Sequence, residues 1–333
     1  MTHKIRWGVL STAGINRALI GPLRQSRRSK LIAVASRDLA KAKAYAAEKG
    51  IPRAYGCYQE LLDDPEVDAI YNSLPNSLHC QWSVGAAQAG KHVLCEKPLV
   101  MNLEQMDAVE SAAAANRVTI FEAFANLHHP QTKKVRELVQ SDRIGRLKVI
   151  QGWMGFSLQD HENIRLDPEL GGGSLWDLGV YPNSLAIVLA GTGCPVEVWA
   201  TQEIGETGVD MATMAHLRFR NGAVAQICSS FRFPRYRGLV IIGTRGGLYL
   251  GEPTVPPDFA QQETQLIYTA VDGSKEIITV PPYSGYLAEV QAMEACLLDG
   301  VEPVVPLSLS RQFLRSVLAI EESARRGKAI HLA

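Results

Sequence analysis

The segment GGGSLWDLGVYPN, residues 171–183, sets Asp177 and Tyr181 four positions apart behind three consecutive glycines. Residues at i and i+4 share one face of a helix, so this spacing stacks a carboxylate on a phenol as an acid/base pair. A core tyrosine beside a capping aspartate has the same spacing. Gly171, Gly172 and Gly173 allow the backbone to pass close to a ligand. Upstream, KHVLCEKPLV places Lys97 directly before Pro98. A proline ring disfavours the α conformation in the residue before it. Lys97 is therefore expected to stand extended at the carboxyl end of a strand, where α/β sheets bind ligands, with an ordinary loop lysine as the alternative. Arg165, in NIRLDPELGGG, lies just ahead of the glycines. It is expected either to face a substrate or to pair with Asp167 or Glu169.

A second group lies near the start of the chain. After the apolar run IRWGVL comes Ser11-Thr12-Ala13-Gly14-Ile15-Asn16, where a dinucleotide-binding turn would read G-x-G-x-x-G. Those glycines permit a tight turn, a close backbone approach to pyrophosphate and packing of helix on strand. Here Ala13 adds one methyl group at the second position, and Ser11 and Thr12 bring hydroxyl donors. A helix beginning near Ile15 aims its amides at a phosphate. Asn16, in the third position, is expected to hold the helix slightly off the strand. A strand-turn-helix without a ligand reads equally well. The next strand ends Ala35-Ser36-Arg37-Asp38, with Lys41 one helical turn further on. This tip is where a ribose is read, by an acid for a 2′-hydroxyl or a base for a 2′-phosphate. Asp38 is placed to cap its own helix, which leaves Ser36, Arg37 and Lys41 to the ligand and favours NADP over NAD.

These groups need particular elements beneath them. Through residue 125, short apolar runs (IRWGVL, KLIAVAS, VDAIYNS, KHVLCE, VTIFEAF) alternate with helical patterns (LAKAKAYAAEKG, SLHCQWSVGAAQAG, LEQMDAVESAAAANR). Alternation of this kind implies βαβ units and a parallel sheet with helices on both faces. The three helices are expected to end on left-handed caps at Gly50, Gly90 and Asn116. Beyond the amphipathic PQTKKVRELVQS the rhythm changes to longer runs: LKVIQGWMGFS, VEVWATQEI, ATMAHLRF, GAVAQICSS, GLVIIGT and EIITV. Asn221-Gly222 and Asp272-Gly273 read as hairpin turns, so this half is expected to be an antiparallel sheet. Helices at YLAEVQAMEACLLDG and LSRQFLRSVLAIEESARRG close the chain, and EPTVPPDF reads as a surface loop. The class is α/β: a Rossmann domain over residues 1–125 and a second α/β domain over 126–333, its terminal helix free to pack back on the first.

Composition narrows the function. The 333 residues carry 34 basic and 34 acidic side chains, so no positive excess draws nucleic acid or an anionic membrane. The six cysteines form no C-x-x-C, and no His/Cys spacing suits zinc; a reduced cytoplasmic protein is expected, with no metal. MTHKIRWGVL runs straight into a strand, and no apolar stretch is long enough to span a membrane.

Taken together, TAGINRALI, ASRD, SLPNSLH, CEKPL, FEAFANLHHPQ and NIRLDPELGGGSLWDLGVYPN resemble the glucose-fructose oxidoreductase / inositol dehydrogenase / MocA family. The resemblance spans roughly Ile5 to Lys328, nearest in pattern to its pyranose and dihydrodiol dehydrogenases and sugar ketoreductases. It implies hydride transfer between NAD(P) and a carbinol carbon of a sugar or cyclic polyol, and a dimer or tetramer formed through the open face of the second sheet. It assigns Lys97 a place beside the nicotinamide and the reacting hydroxyl, and Asp177 and Tyr181 the acid/base pair, with Tyr181 where many inositol-type relatives carry histidine. A phenol is a poor base at neutral pH, and a nearby ammonium favours phenolate. The resemblance also sets Leu74, Asn76 and His79 beside the cofactor, with His79 equally able to cap or pack, and has Glu96 orient the E-K-P loop. FEAFANLHHPQ departs from the family in Ala125-Asn126-Leu127, which alters the pocket wall; His128 and His129 have no third metal ligand spaced to join them. Two other activities share the scaffold. One is a regulator that binds dinucleotide without chemistry, which needs no Lys97, Asp177 and Tyr181 together; the other is a redox-assisted glycosidase that keeps its NAD bound.

Overall fold

A computed structural model describes residues 4–252 and 262–332, arranged as two compact units. The first takes Met1–Ala125 together with Tyr286–Leu307; the second takes Asn126–Gly285 and Ser308–Ala333. The EPTVPPDF loop after Glu252 lies outside the described residues.

In the first unit the strands are β1 (Ile5–Leu10), β2 (Ser29–Ala35), β3 (Arg53–Tyr55), β4 (Ala69–Asn72), β5 (His92–Glu96) and β6 (Ile120–Ala123). All pair in parallel in the order β3-β2-β1-β4-β5-β6, a Rossmann sheet whose order reverses between β1 and β4. The helices are α1 (Asn16–Gln25), α2 (Leu39–Lys49), α3 (Tyr58–Leu62), α4 (His79–Gln88) and α5 (Leu103–Asn116), of which α2, α3 and α5 start on side-chain caps from Asp38, Cys57 and Asn102. Asp38 caps α2 by accepting from the amides of Ala40 and Lys41, and Gly50 ends it at φ +57. Helix α5 closes one residue later than expected: Arg117, not Asn116, takes the left-handed conformation at φ +54, and the Asn116 amide turns back to the Ala112 carbonyl.

The second unit holds α6 (Ala125–His128), α7 (Pro130–Gln140), β7 (Leu147–Gly155), α8 (Val180–Ala190) and the strands β8 (Glu197–Ile204) to β14. These are β9 (Asp210–Arg218), β10 (Val224–Ser230), β11 (Tyr236–Gly243), β12 (Gly246–Leu250), β13 (Thr264–Ala270) and β14 (Lys275–Val280); helices α9 (Gly285–Asp299) and α10 (Leu307–Arg326) and strand β15 (Ile330–His331) end the chain. The nine-stranded sheet runs β14-β13-β12-β11-β7-β10-β9-β8-β15, and only β7 and β10 pair in parallel. Asn221-Gly222 and Asp272-Gly273 turn the β9–β10 and β13–β14 hairpins, each with its glycine at positive φ. Strand β12 opens on two glycines. A Cβ on Gly246 would lie 2.7 Å from the Tyr268 ring and 2.8 Å from the Thr269 carbonyl oxygen, so the cross-strand approach requires a glycine there.

One placement differs from the expectation of a second domain running unbroken from 126 to 333. Helix α9 belongs to the first unit, where Val290 and Met293 are fully buried with Trp7, Leu23, Tyr71 and Phe121. Its Glu294 accepts from Ser26 and Ser29, and Ser29 in turn accepts from the Trp7 indole at 2.9 Å. The terminal helix α10 stays with the second unit.

The β1–α1 turn is held by side chains in place of glycines. Asn16 is fully buried; its Nδ2 donates to the Ser11 carbonyl at 3.0 Å and its Oδ1 accepts from the Ser73 hydroxyl at 2.6 Å. Asn16→Ala strands both partners, and a loss of about 2–4 kcal/mol is expected. Urea unfolding at unchanged m-value measures it; a loss below about 0.5 kcal/mol, the scale of an ordinary surface change, would contradict this role.

Candidate active site

At the switch point, Ser11 adopts φ +96, a conformation that favours glycine and that fills the place of the motif's first glycine. Its hydroxyl is engaged locally: it accepts from the Ala13 amide at 3.1 Å and sits 3.0 Å from the Ser73 hydroxyl, which itself reaches the Leu10 carbonyl. Ser11 therefore shapes the turn, its hydroxyl bonded to the Ala13 amide and to Ser73. Asn16 likewise clamps the helix to the strands instead of spacing it away. Thr12 and Ala13 are half-buried, Gly14 and Ile15 are exposed, and no atom outside the local chain lies within 4 Å of a Cβ built on Gly14. The first-turn amides of α1 point where an anion is stabilised.

At the tip of β2, Ser36 is buried and accepts from the Asp38 amide, while the Asp38 carboxylate is turned into its own helix. The Asp38 carboxylate is thus engaged within α2. Arg37 is exposed and bonds the Tyr58 hydroxyl, whose ring meets Trp82 edge-on at 4.9 Å. Lys41 is exposed on the first turn of α2.

The E-K-P turn follows β5, with the Lys97–Pro98 bond cis. Glu96 accepts from the buried Tyr71 hydroxyl at 2.6 Å. Leu74 is buried and Asn76 half-buried. His79 is fully buried, and its ring nitrogens lie 2.7 Å from the Pro98 and Leu74 carbonyl oxygens. Burial pulls its pKa down against those two carbonyls, and the Lys97 charge adds to the pull. His79 thus ties the E-K-P turn to the loop after β4. On α9, Glu289 is fully buried, neither oxygen has a hydrogen-bond partner among the described residues, and burial, with the Glu96 charge adding, raises its pKa well above the usual carboxylate range.

In the second unit Arg165 pairs with Asp177, Nε to Oδ2 at 2.6 Å, and not with Asp167 or Glu169. The Asp177 charge, ahead of the cost of burial, raises the Arg165 pKa, and the Tyr181 hydroxyl is within electrostatic reach of the same guanidinium. The guanidinium also lies 5.9 Å from the Phe156 ring centre. Tyr181 is half-buried and packs against Met154, Leu178, Met211 and Phe231.

The glycines serve this arrangement differently from the sequence expectation. A Cβ on Gly172 would fall 2.4 Å from the Arg165 carbonyl oxygen, and one on Gly173, at φ +115, 2.3 Å from Asp210 Oδ1. They let the chain fold onto its own backbone, with the Gly173 amide on the Arg165 carbonyl, and so set Arg165 beside Asp177. Residues Leu175–Gly179 form a π-helical turn leading into α8. Asp210 anchors its start through the Ser174 hydroxyl at 2.6 Å and the Leu175 amide at 3.0 Å, and the Trp176 indole donates to Glu321 of α10 at 2.7 Å. Burial pushes Glu321 up to about 7, with the Asp210 charge adding and the Trp176 bond opposing. Asp210, Trp176 and Glu321 carry no motif and were not legible in sequence. His128 is buried, which takes it down to about 4, and no group of three or more His, Cys, Asp or Glu among the described residues is placed to hold a metal.

Comparison with known proteins matches both units. Residues 5–124 match the family model of oxidoreductases with an NAD-binding Rossmann fold, and residues 132–249 match the GFO/IDH/MocA C-terminal domain. The chain is 38% identical over 329 residues to D-xylose 1-dehydrogenase (NADP(+)) 2 of Haloferax volcanii, covering 98% of this chain and 99% of that one. It is 31% identical over 316 residues to trans-1,2-dihydrobenzene-1,2-diol dehydrogenase of Xenopus laevis, covering 92% and 93%. Its fold matches a 3-ketoreductase from Actinomadura kijaniata, solved with NADP and TDP-benzene, at a TM-score of 0.90 and 28% identity over 96% and 98% of the two chains. With its Rossmann turn, its E-K-P strand end and its antiparallel second sheet, the chain belongs to the GFO/IDH/MocA oxidoreductase family.

Proposed function

We propose that the protein is an NADP-dependent dehydrogenase, or in reverse a ketoreductase, acting on a carbinol carbon of an aldose or related cyclic polyol. The observation that carries this reading is the half-buried Tyr181 beside an arginine locked onto Asp177. A cation next to a phenol favours phenolate, the form that accepts the hydroxyl proton of an alcohol. Asp177, by pinning Arg165, sets how that charge faces Tyr181. In this reading Lys97 stabilises the alkoxide that develops when the proton leaves. Leu74 and Asn76 line the nicotinamide half, and the turn Thr12–Ile15 with the first amides of α1 takes the pyrophosphate. When bound, the dinucleotide supplies the acceptor or donor of the hydride. A regulator that only binds dinucleotide has no use for the Arg165–Asp177–Tyr181 arrangement, which favours an enzyme.

NADP is preferred because the tip of β2 offers a buried hydroxyl at Ser36 and cations at Arg37 and Lys41, while Asp38 is spent on its helix. The names of the xylose dehydrogenase and the 3-ketoreductase complex support the same choice. The protein works in the cytoplasm in this reading, in keeping with six free cysteines; no described helix is long and apolar enough to cross a membrane.

Assembly as a homodimer or homotetramer completes the reading. One cross-strand row on the outer face of the second sheet runs Trp199, His216, Gln226, Gln151, Val240, Tyr249, Ile267 and Ile277. Trp199, Met214, Ile242, Tyr249 and Ile277 are exposed on that face or its rim. An open apolar sheet face of this extent suits a second copy of the chain.

Tyr181→Phe should lower kcat by about 10²–10⁴-fold with cofactor affinity kept within a few-fold, read by steady-state kinetics and cofactor fluorescence; near-wild-type kcat would remove Tyr181 from the chemistry. Ser36→Asp places a carboxylate against the 2′-phosphate and should weaken NADP by roughly 2–3 kcal/mol while leaving NAD nearly unchanged; calorimetric titration with both cofactors checks this, and an unaltered preference would show that the phosphate is read elsewhere. Sedimentation at micromolar concentration should give at least twice the 36.4 kDa chain mass, and a monomer would rule the assembly out.

A further inference from the structure

A π-helical turn is rare and occurs mostly as a single turn, frequently at a functional site. The turn Leu175–Gly179 is braced by specific contacts. The amides of Asp177 and Val180 bond back to the carbonyls of Gly173 and Leu175. Gly179 presses on β10, where an added Cβ would stand 3.1 Å from Ser229 Oγ. Ser174 and Leu175 are fixed to Asp210, which Thr213 also contacts at 2.7 Å. The residue directly before Asp177 is Trp176, buried, with its only polar atom on Glu321.

We propose that Glu321 is a positioning residue for Asp177: by receiving the Trp176 indole N–H it fixes the turn in the register that sets Asp177 against Arg165. An indole N–H left without an acceptor in this buried place costs more than the turn can absorb, so loss of the carboxyl lets Trp176 move and carries Asp177 with it. The geometry requires an acceptor on α10, and an amide serves as well as an acid.

The charge state of Glu321 makes the contact observable. Four elements meet Glu321 or the helix that carries it. The π-turn brings Trp176. Strand β9 brings Asp210, the nearest second carboxylate. Strand β8, joined to α10 through the Ala200 amide and Ser323, carries Glu197 and Glu203, which are paired with Arg218 and Arg232. Helix α8, tied to α10 through Asn183 and Ser316, brings no acid or base other than Tyr181. On α10 itself, Glu322 is occupied by Arg325 and Arg326. Glu321 therefore titrates with Asp210 as its main charged neighbour and gains its charge as pH rises through about 7.

The test uses the whole protein and two kinds of readout. The Trp176 indole Nε1–H resonance, identified by its absence in Trp176→Phe, should titrate with a midpoint near 7 in the wild type and lie flat in Glu321→Gln. The Arg165 Nε–H resonance, which reports the bond to Asp177, should keep its wild-type position in Glu321→Gln and shift in Glu321→Ala. In turnover, which rests on the dehydrogenase reading, Glu321→Ala should lose about ten- to a hundred-fold in kcat with little change in KM. Glu321→Gln should restore kcat and remove the inflection near neutral pH. A Trp176 indole resonance unmoved in both Glu321→Gln and Glu321→Ala, or an Arg165 signal unmoved in Glu321→Ala, overturns the proposal even where no substrate is turned over. A folded Glu321→Ala enzyme with wild-type kcat overturns it as well. Should Glu321→Ala fail to fold, Glu321→Gln with its two resonances decides.

Discussion

The Rossmann unit depends on one constraint. Where strand order reverses, the chain must leave β1, turn, and start α1 with its first amides facing outward while the ends of β1 and β4 stay together. Glycines meet this by having no side chain to place. This chain meets it with three small polar side chains: Ser11 at positive φ, Asn16 fully buried, and Ser73 bonded to both Asn16 and the Leu10 carbonyl. The turn is thereby closed by hydrogen bonds among the strand ends, and the adjoining Thr12–Ile15 segment remains facing out. The same logic holds the other loops at this sheet edge: His79 joins the β4 loop to the E-K-P turn by two backbone carbonyls, and Asp38 keeps its charge within α2.

The second unit solves a related problem with the opposite materials. Arg165, Asp177 and Tyr181 come from a 3₁₀ turn, a π-turn and the start of α8, none of which is rigid alone. Gly172 and Gly173 give up their side chains so that Arg165 and Asp210 can approach, and the carboxylate of Asp210 then satisfies a hydroxyl and an amide at the head of the π-turn. Arg165 is held by a charge-assisted bond to Asp177, which is stronger than a neutral one and geometrically specific. Position at this site is thus set by ion pairs and glycine packing, with helix propensity contributing little.

Most of the architecture was legible because it rests on periodicity and turn chemistry. The βαβ alternation, the Asn221-Gly222 and Asp272-Gly273 hairpins, and the cap at Asp38 are local signals with local outcomes. What escaped the sequence is what depends on partners distant along it. Helix α9 reads like any late helix, and only its Val290, Met293 and Glu294 contacts assign it to the first unit. Arg165 had acidic neighbours two and four residues away and chose Asp177, twelve residues on, because the glycines fold the intervening chain back. The glycine triplet was read as room for a ligand; in the structure Gly172 makes room for the Arg165 backbone and Gly173 for the Asp210 carboxylate. Asp210, Trp176 and Glu321 sit on three separate elements, so no spacing in the sequence connects them.

The central claim is that this chain moves a hydride between NADP and an aldose or related polyol. It is tested most directly by incubating the purified protein with NADP or NAD and a panel comprising D-xylose, other aldoses, inositols and trans-diols, and following the absorbance of reduced cofactor. The account requires substrate-dependent formation of NADPH with at least one sugar or diol, faster with NADP than with NAD. Cofactor that binds yet is never reduced by any member of the panel, and reduced cofactor that is never oxidised by the matching lactones and ketones, would contradict it.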